Sequence, residues 1–207
     1  MFNTTKRLII NIRGTNGSGK STAVKQLYES DETKEIVYHG IKKNGEPGNP
    51  CITILHKYNI ILLGLYKVNT GGLDTNAYSG VQQTVDHIKQ VVEDYPTYHI
   101  IYEGMMASSS IGTFYVPLAQ YFNGLPNTTM VVVIMLPPKD ILAERLYKRS
   151  GNQDLNIEAI LRFWETQRKS VQKFKDAGVL TIPLDNSVVD KDGMLKLLVD
   201  TINTNII

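Results

Sequence analysis

Gly14-Thr15-Asn16-Gly17-Ser18-Gly19-Lys20-Ser21-Thr22 is the stretch whose reading decides the fold. It fits the pattern G-x-x-x-x-G-K-[ST], with Gly14 first, Gly19 and Lys20 next, and Ser21 last. Glycines let the backbone turn tightly, with several N–H groups aimed inward at a polyphosphate. In such a loop the Lys20 ammonium reaches the β- and γ-phosphates, and the Ser21 hydroxyl ligates Mg²⁺. The run before it, Arg7-Leu8-Ile9-Ile10-Asn11-Ile12-Arg13, is apolar and β-branched and reads as a buried strand over 7–12. After it a helix is expected over 20–29, with Val24, Leu27 and Tyr28 on one side. Strand, glycine loop and helix N-terminus thus arrive in the order a nucleoside-triphosphate cradle needs. The helix adds its positive dipole end to the anion site.

Composition sets the outer bounds. A chain of 207 residues suits one α/β domain over 1–207. Hydrophobic content of 42% and charged content of 20% are those of a globular protein. A net charge of +2 does not announce a nucleic-acid binder, although a local patch would suffice. The single cysteine, Cys51, excludes an intramolecular disulfide and suits a reducing compartment. It follows Pro50 and opens an apolar run, so it reads as packing. No apolar signal segment precedes the first strand, and the apolar run 130–136 is too short to span a bilayer. The expected location is cytoplasmic.

Outward from the loop, strands and helices alternate. Residues 36–39 read as a short strand, and Lys42 to Pro50 as a polar turn. Cys51 to His56 and Ile60 to Tyr66 read as a hairpin around Lys57-Tyr58-Asn59. A helix is expected over 79–93, a strand over 99–102, and a helix within 105–124 that carries Pro117 near its start. Met130 to Leu136 is a strand rich in valine, stopped by Pro137-Pro138. Helices follow over 139–149 and 157–177, the second capped by Asn156 and closed by Gly178. A strand over 179–183 and a helix over 190–201 end the chain. Trp164 falls in step with Ile157, Ile160, Leu161 and Val171 and reads as core. The pattern implies an α/β fold of the P-loop NTPase type. It is a three-layer sandwich with a mostly parallel central sheet, an antiparallel hairpin and a short lid near 145–156.

Two carboxylates stand where chemistry is expected. Glu103 ends an apolar strand, the place where P-loop enzymes hold an acidic Mg²⁺ partner. Its role is Mg²⁺ positioning or proton acceptance. Asp74 follows Gly71-Gly72, a pair that fits a backbone held close to a ligand or in a tight turn. Asp74 is a candidate to take the proton of an acceptor hydroxyl, or to orient the acceptor. Arginine placement is informative: after Arg13 the next is Arg145. Enzymes that phosphorylate a nucleoside monophosphate must hold the acceptor's own phosphate, a task for arginine's fork. The acceptor-side half of this chain offers only lysines, including Lys67, which favours an acceptor without a terminal phosphate.

Arg145 and Arg149 lie four apart on one helix face, before the turn Ser150 to Asp154. They are the lid arginines expected to stabilise charge on the transferring phosphoryl group, ahead of Arg162 and Arg168. Between Arg145 and Lys175 stand eight basic and three acidic residues, a local +5 that could face a nucleic-acid backbone or solvent. Phe114, Tyr115, Tyr121 and Phe122, behind Ser108-Ser109-Ser110, could stack a base or fill the core. His39, His56, His87 and His99 show no metal-ligand spacing.

Arg13-Gly14-Thr15-Asn16-Gly17-Ser18-Gly19-Lys20-Ser21-Thr22 is similar to the Arg-Gly-Thr-Ser-Gly-Ser-Gly-Lys-Ser loop of phage thymidylate-kinase-like P-loop kinases. The resemblance continues through Gly64-Leu65-Tyr66-Lys67, Gly71-Gly72-Leu73-Asp74 and Tyr102-Glu103-Gly104-Met105-Met106-Ala107-Ser108. That family includes the phage 5-hydroxymethyluracil DNA kinases. The resemblance implies transfer of the ATP γ-phosphate to the 5-hydroxymethyl group of a base in DNA, a step in thymidine hypermodification. ATP, Mg²⁺ and DNA containing 5-hydroxymethyluracil are then the expected cofactors and partner. Asn16 stands where the family commonly has serine, a change a backbone cradle tolerates. Two other readings remain: a deoxynucleoside monophosphate kinase, and a regulator that binds ATP without transferring phosphate.

Overall fold

The computed structural model describes residues 1–66, 72–76, 78, 80–104, 111–151 and 156–206. Its strands are β1 (Arg7–Gly14), β2 (Glu35–Ile41), β3 (Pro47–Leu55), β4 (Ile60–Leu63), β5 (His99–Glu103), β6 (Thr128–Met135) and β7 (Leu180–Leu184). Its α-helices are α1 (Lys20–Glu29), α2 (Val81–Asp94), α3 (Val116–Asn123), α4 (Lys139–Ser150), α5 (Ile157–Asp176) and α6 (Met194–Asn205). The strands form one sheet in the order β2-β3-β4-β5-β1-β6-β7. β4, β5, β1, β6 and β7 run parallel, while β3 pairs antiparallel with both β2 and β4. From β1 the chain builds one side of the sheet, returns to β5, then crosses to β6 on the other side. β1 therefore sits at the switch in strand order, whose carboxyl end is where open α/β sheets place ligands.

Strand alternation sorts the core into two layers. Leu8, Ile10 and Ile12 face α1 and α6, and pack with Val24, Leu27, Leu198 and Ile202. Ile9 faces the other way with Ile100, Val132 and Ile134, covered by Ile88 of α2, Leu118 of α3 and Phe174 of α5. A sheet with helices on both faces explains why β1, β5 and β6 read as unbroken apolar runs rather than alternating ones.

Several boundaries differ from the sequence reading. β3 starts at Pro47, inside the stretch read as a polar turn, because Pro47 pairs with Ile41 and Gly48 with Gly40 near the sheet edge. A proline at a strand's first residue leaves the ladder intact. β4 stops at Leu63: Gly64, at φ +96°, bends the chain, though its N–H still donates to the Cys51 carbonyl of β3. The last helix begins at Met194 rather than 190. The Asp190 carboxylate instead accepts from the N–H groups of Asp192 and Gly193, holding a turn ahead of the helix. Trp164 is half-buried, not core; its indole N–H donates to the Pro137 carbonyl at 2.8 Å. The residues α5 buries are Gln167, Ser170 and Phe174. Asn156 caps α5 as expected, accepting from the Ala159 N–H at 2.9 Å. The start of the second helix at 79 lies outside the described residues.

A buried polar chain ties the hairpin to α2. Asn76 acts as a substitute strand for Cys51: its Oδ1 accepts from the Cys51 N–H at 2.9 Å, and its Nδ2 donates to the Cys51 carbonyl at 3.1 Å. The same Nδ2 donates to the Tyr78 hydroxyl at 2.9 Å. That hydroxyl bonds His87 Nδ1 at 2.5 Å, and His87 Nε2 meets His39 Nδ1 at 2.8 Å. Burial pushes the Cys51 thiol up to about 11, in keeping with a packing role. Burial, helped by His39, pushes His87 down to about 4 from an ordinary 6.5. Between those pH values the unfolded chain takes up a proton that the folded chain refuses. Stability is therefore full above pH 6.5 and falls by roughly 2–3 kcal/mol as pH drops toward 4. Urea unfolding measured from pH 7 to pH 4 checks this, and the slope flattens in His87→Gln.

Candidate active site

The glycine loop closes onto α1 at Gly19, whose φ of 93° is left-handed and whose side-chain slot is already filled. A Cβ there would lie 2.8 Å from Asn186 Nδ2. Gly19 at the N-cap has no side chain to offer α1, and the loop leads straight into the helix's first-turn N–H groups, the arrangement an anion site requires. The Lys20 ammonium donates to the Thr15 carbonyl at 3.0 Å, which lays it along the loop interior.

The loop is held from behind by a residue the sequence reading passed over. Asn186, fully buried just after β7, donates its Nδ2 to the Ser18 carbonyl at 2.6 Å. Its own Oδ1 accepts from Arg145 Nη1 at 2.9 Å, and its backbone carbonyl from Nη2 at 2.9 Å. Arg145 is thus joined to the loop through Asn186. Leu142 and Leu146 of the same helix press on Gly17, where a Cβ would lie 3.0 Å from Leu146. Arg149, one turn on, is exposed. The two arginines expected to belong to a lid therefore stand in different settings, Arg145 bonded to Asn186 and Arg149 in solvent. Of the expected lid, residues 152–155 lie outside the described residues. Arg162 and Arg168 form exposed ion pairs with Glu158 and Glu165, one helical turn away.

Glu103 ends β5, and the register that pairs Ile12 with Glu103 brings its carboxylate beside the loop. It is 3% exposed. The Ser21 hydroxyl donates to Glu103 Oε2 at 3.1 Å. A hydroxyl and a carboxylate at this separation are oxygen donors of the kind Mg²⁺ takes. Among the described residues no group of three or more His, Cys, Asp or Glu could hold a metal. Mg²⁺ usually keeps several waters and is bound by one or two protein oxygens together with phosphate oxygens. The residues present fit the cation on chemistry and place.

Gly72 locks the second acidic segment against the first. Its φ is +71°, and a Cβ would lie 2.5 Å from Glu103 Cγ and 3.0 Å from the Glu103 carbonyl. The Gly71-Gly72 pair is expected to approach a ligand or to turn tightly; Gly72 approaches Glu103. The 3₁₀ turn Leu73–Asn76 follows at once, so the Asp74 backbone lies between Gly72 on Glu103 and Asn76 on Cys51. The Asp74 side chain, Lys67, Gly71 and the segment 105–110 with its three serines lie outside the described residues. Of the four aromatic candidates, Tyr115 and Phe122 are fully buried, while Phe114 and Tyr121 are half-buried. Tyr121 donates to Glu93 from the α3 surface.

Arg13 is 1% exposed, the largest surprise of the site. Its guanidinium carbon lies 4.6 Å from the Tyr115 ring centre and 5.2 Å from that of Phe174. No sequence signal links Arg13 to Gln167 or Phe174, because the contacts span more than 150 residues of chain.

Substituting Gly72→Ala forces a strained φ and a collision with Glu103. We expect a loss of about 2 kcal/mol or more in urea unfolding and weaker Mg²⁺-dependent nucleotide binding, read by calorimetry.

A family model described as 5-hmdU DNA kinase matches residues 3–193. The chain is 30% identical over 204 residues to a 5-hmdU DNA kinase of Bacillus phage SP10, covering 96% of this chain and 30% of that protein. It is 26% identical over 166 residues to 5-hmdU DNA kinase 1 of Salmonella phage ViI, covering 79% of this chain and 69% of that one. The chain thus spans about a third of the first relative. Among solved structures, deoxyadenosine kinase from M. mycoides with bound dATP aligns at 18% identity and a TM-score of 0.41, covering 94% of this chain and 98% of that chain.

Proposed function

We propose that this chain, which belongs to the 5-hmdU DNA kinase family, transfers the γ-phosphate of ATP to the 5-hydroxymethyl group of 5-hydroxymethyluracil in DNA. The observation that carries the reading is the Ser21–Glu103 hydrogen bond between the first turn of α1 and the end of β5, inside the matched residues. It sets a metal-binding hydroxyl and a buried carboxylate at the mouth of an uncapped helix.

Gly14, Thr15, Asn16, Gly17, Ser18 and Gly19 cradle the triphosphate with backbone N–H groups, with Thr22 in the first turn behind them. Lys20 turns from the Thr15 carbonyl to the γ-phosphate. Ser21 and Glu103 would hold Mg²⁺, which when bound neutralises charge on the phosphate oxygens. With Glu103 committed to Ser21, Asp74 is the carboxylate left for the acceptor. The hydroxymethyl oxygen attacks the γ-phosphorus, its proton passes to Asp74, and the bond to the bridging oxygen of ADP breaks. Arg145, fixed on Asn186, and Arg149 balance charge on the transferring group. The target base leaves the DNA stack to reach the γ-phosphate. A monophosphate acceptor would need a clamp, and no arginine stands between Arg13 and Arg145 to make one.

γ-Labelled ATP supplied with 5-hydroxymethyluracil DNA, thymine DNA and free deoxynucleotides tests the reading. Label goes to the modified DNA alone. Label on free monophosphates alone would contradict it, and none anywhere with ATP still bound would favour a regulator. Asp74→Asn lowers transfer by about 10²–10⁴ with ATP affinity kept. Full activity in that variant would remove Asp74 as the proton acceptor.

A further inference from the structure

Arg13 is the penultimate residue of the central strand, immediately before the glycine loop, and among the described residues no carboxylate meets its charge. Its Nε donates to Gln167 Oε1 at 3.4 Å, a long bond, and Nη1 is buried with no hydrogen-bond partner among the described residues. Two aromatic faces flank it, from Tyr115 and Phe174. Two more orphaned atoms stand on the same face of the sheet. Among the described residues Asn11, two residues back on β1, has no partner for its Oδ1, and its register partner Tyr102 has none for its hydroxyl. Buried polar atoms are normally bonded, and a buried cation lacking a counter-charge is costly to keep. An apolar side chain of the same length would pack there at no such cost. A strain of this kind, set at the carboxyl end of the strand where ligands bind, is the mark of a site tuned for binding.

We infer that Arg13 reads a carbonyl oxygen of the extruded pyrimidine base, donating to it through Nη1. The inference rests on the function proposed above and names how that site knows its base. Depth decides between base and backbone. A polynucleotide's phosphates stay at the mouth of such a site, whereas an extruded base enters flat, uncharged and edge first. The hydrogen-bonding edge of a uracil presents a carbonyl, an N–H and a second carbonyl. The orphaned groups are the matching kinds: the Arg13 donor, the Asn11 acceptor and the Tyr102 hydroxyl. The cover over Arg13 is Tyr115, last residue of the π-type turn Ile111–Tyr115 that precedes α3. Such turns recur at functional sites, and the inferred path of the base runs past this one.

The test compares wild type, Arg13→Met and Arg13→Lys on 5-hydroxymethyluracil DNA, with 5-hydroxymethylcytosine DNA as a competitor. Arg13→Met melts at or above the wild-type temperature and binds ATP unchanged, while its KM for the uracil DNA rises about tenfold to a hundredfold and kcat moves little. Arg13→Lys falls between. The cytosine base keeps the 2-carbonyl and lacks the 4-carbonyl. Loss of the preference for uracil over cytosine in Arg13→Met assigns the 4-carbonyl; an equal loss for both assigns the 2-carbonyl. An unchanged KM in Arg13→Met overturns the inference, as does unfolding of both variants, which would make Arg13 a structural residue. Wild-type protein that leaves the uracil DNA unlabelled overturns the proposed function and this inference with it. Labelling by wild type and Arg13→Met alike overturns this inference alone.

Discussion

The Ser21 hydroxyl meets the Glu103 carboxylate at 3.1 Å, and that contact can exist only if three separate pieces of chain are correctly placed. Parallel pairing of β1 with β5 must put Ile12 beside Glu103. The glycine loop must reverse the chain so that α1 starts at Lys20, with Ser21 in its first turn. The segment after β4 must approach without a side chain, which Gly72 provides. A slip of one residue in β1 would turn Glu103 relative to the loop and move the apolar residues of β1 to the wrong faces. The site is therefore set by the same register that builds the core.

Around that contact the protein uses buried side-chain amides as connectors. Asn186 joins the loop at Ser18 to Arg145 on α4. Asn76 joins the turn bearing Asp74 to β3 at Cys51. An amide offers donors and an acceptor, so one side chain satisfies two backbone segments that no regular ladder connects. Each deletion would leave buried backbone groups unpaired, which makes these positions costly to change. They fix the glycine loop and the Leu73–Asn76 turn independently.

What was legible in the sequence follows from how local the cause is. Periodicity and the glycine spacing located β1, the loop and α1, because strand, turn and helix chemistry act within a few residues. Glu103 was legible from its place at the end of an apolar strand. Asn186, Asn76 and the burial of Arg13 were not, since each depends on a partner far along the chain. Helix α5 misled for a related reason. Its regular apolar residues, Trp164 among them, are half-buried, while Gln167 and Ser170 turn inward toward the sheet. Polar residues at core positions look like a solvent face until the bond from Arg13 to Gln167 is seen. β3 was cut short because Pro47 and Gly48 carry turn chemistry yet pair with the edge strand.

Family membership gives the chain its chemical setting, and the strand-end geometry gives that setting a place. Ser21 and Glu103 are the proposed metal-dependent nucleotide site of this chain. Calorimetric titration of ATP with and without Mg²⁺, in wild type and Glu103→Gln, tests it most directly. The account predicts that Mg²⁺ tightens ATP binding at least about tenfold in wild type and barely at all in Glu103→Gln, with metal-free binding equal in both. Equal Mg²⁺ enhancement in the two proteins would contradict it.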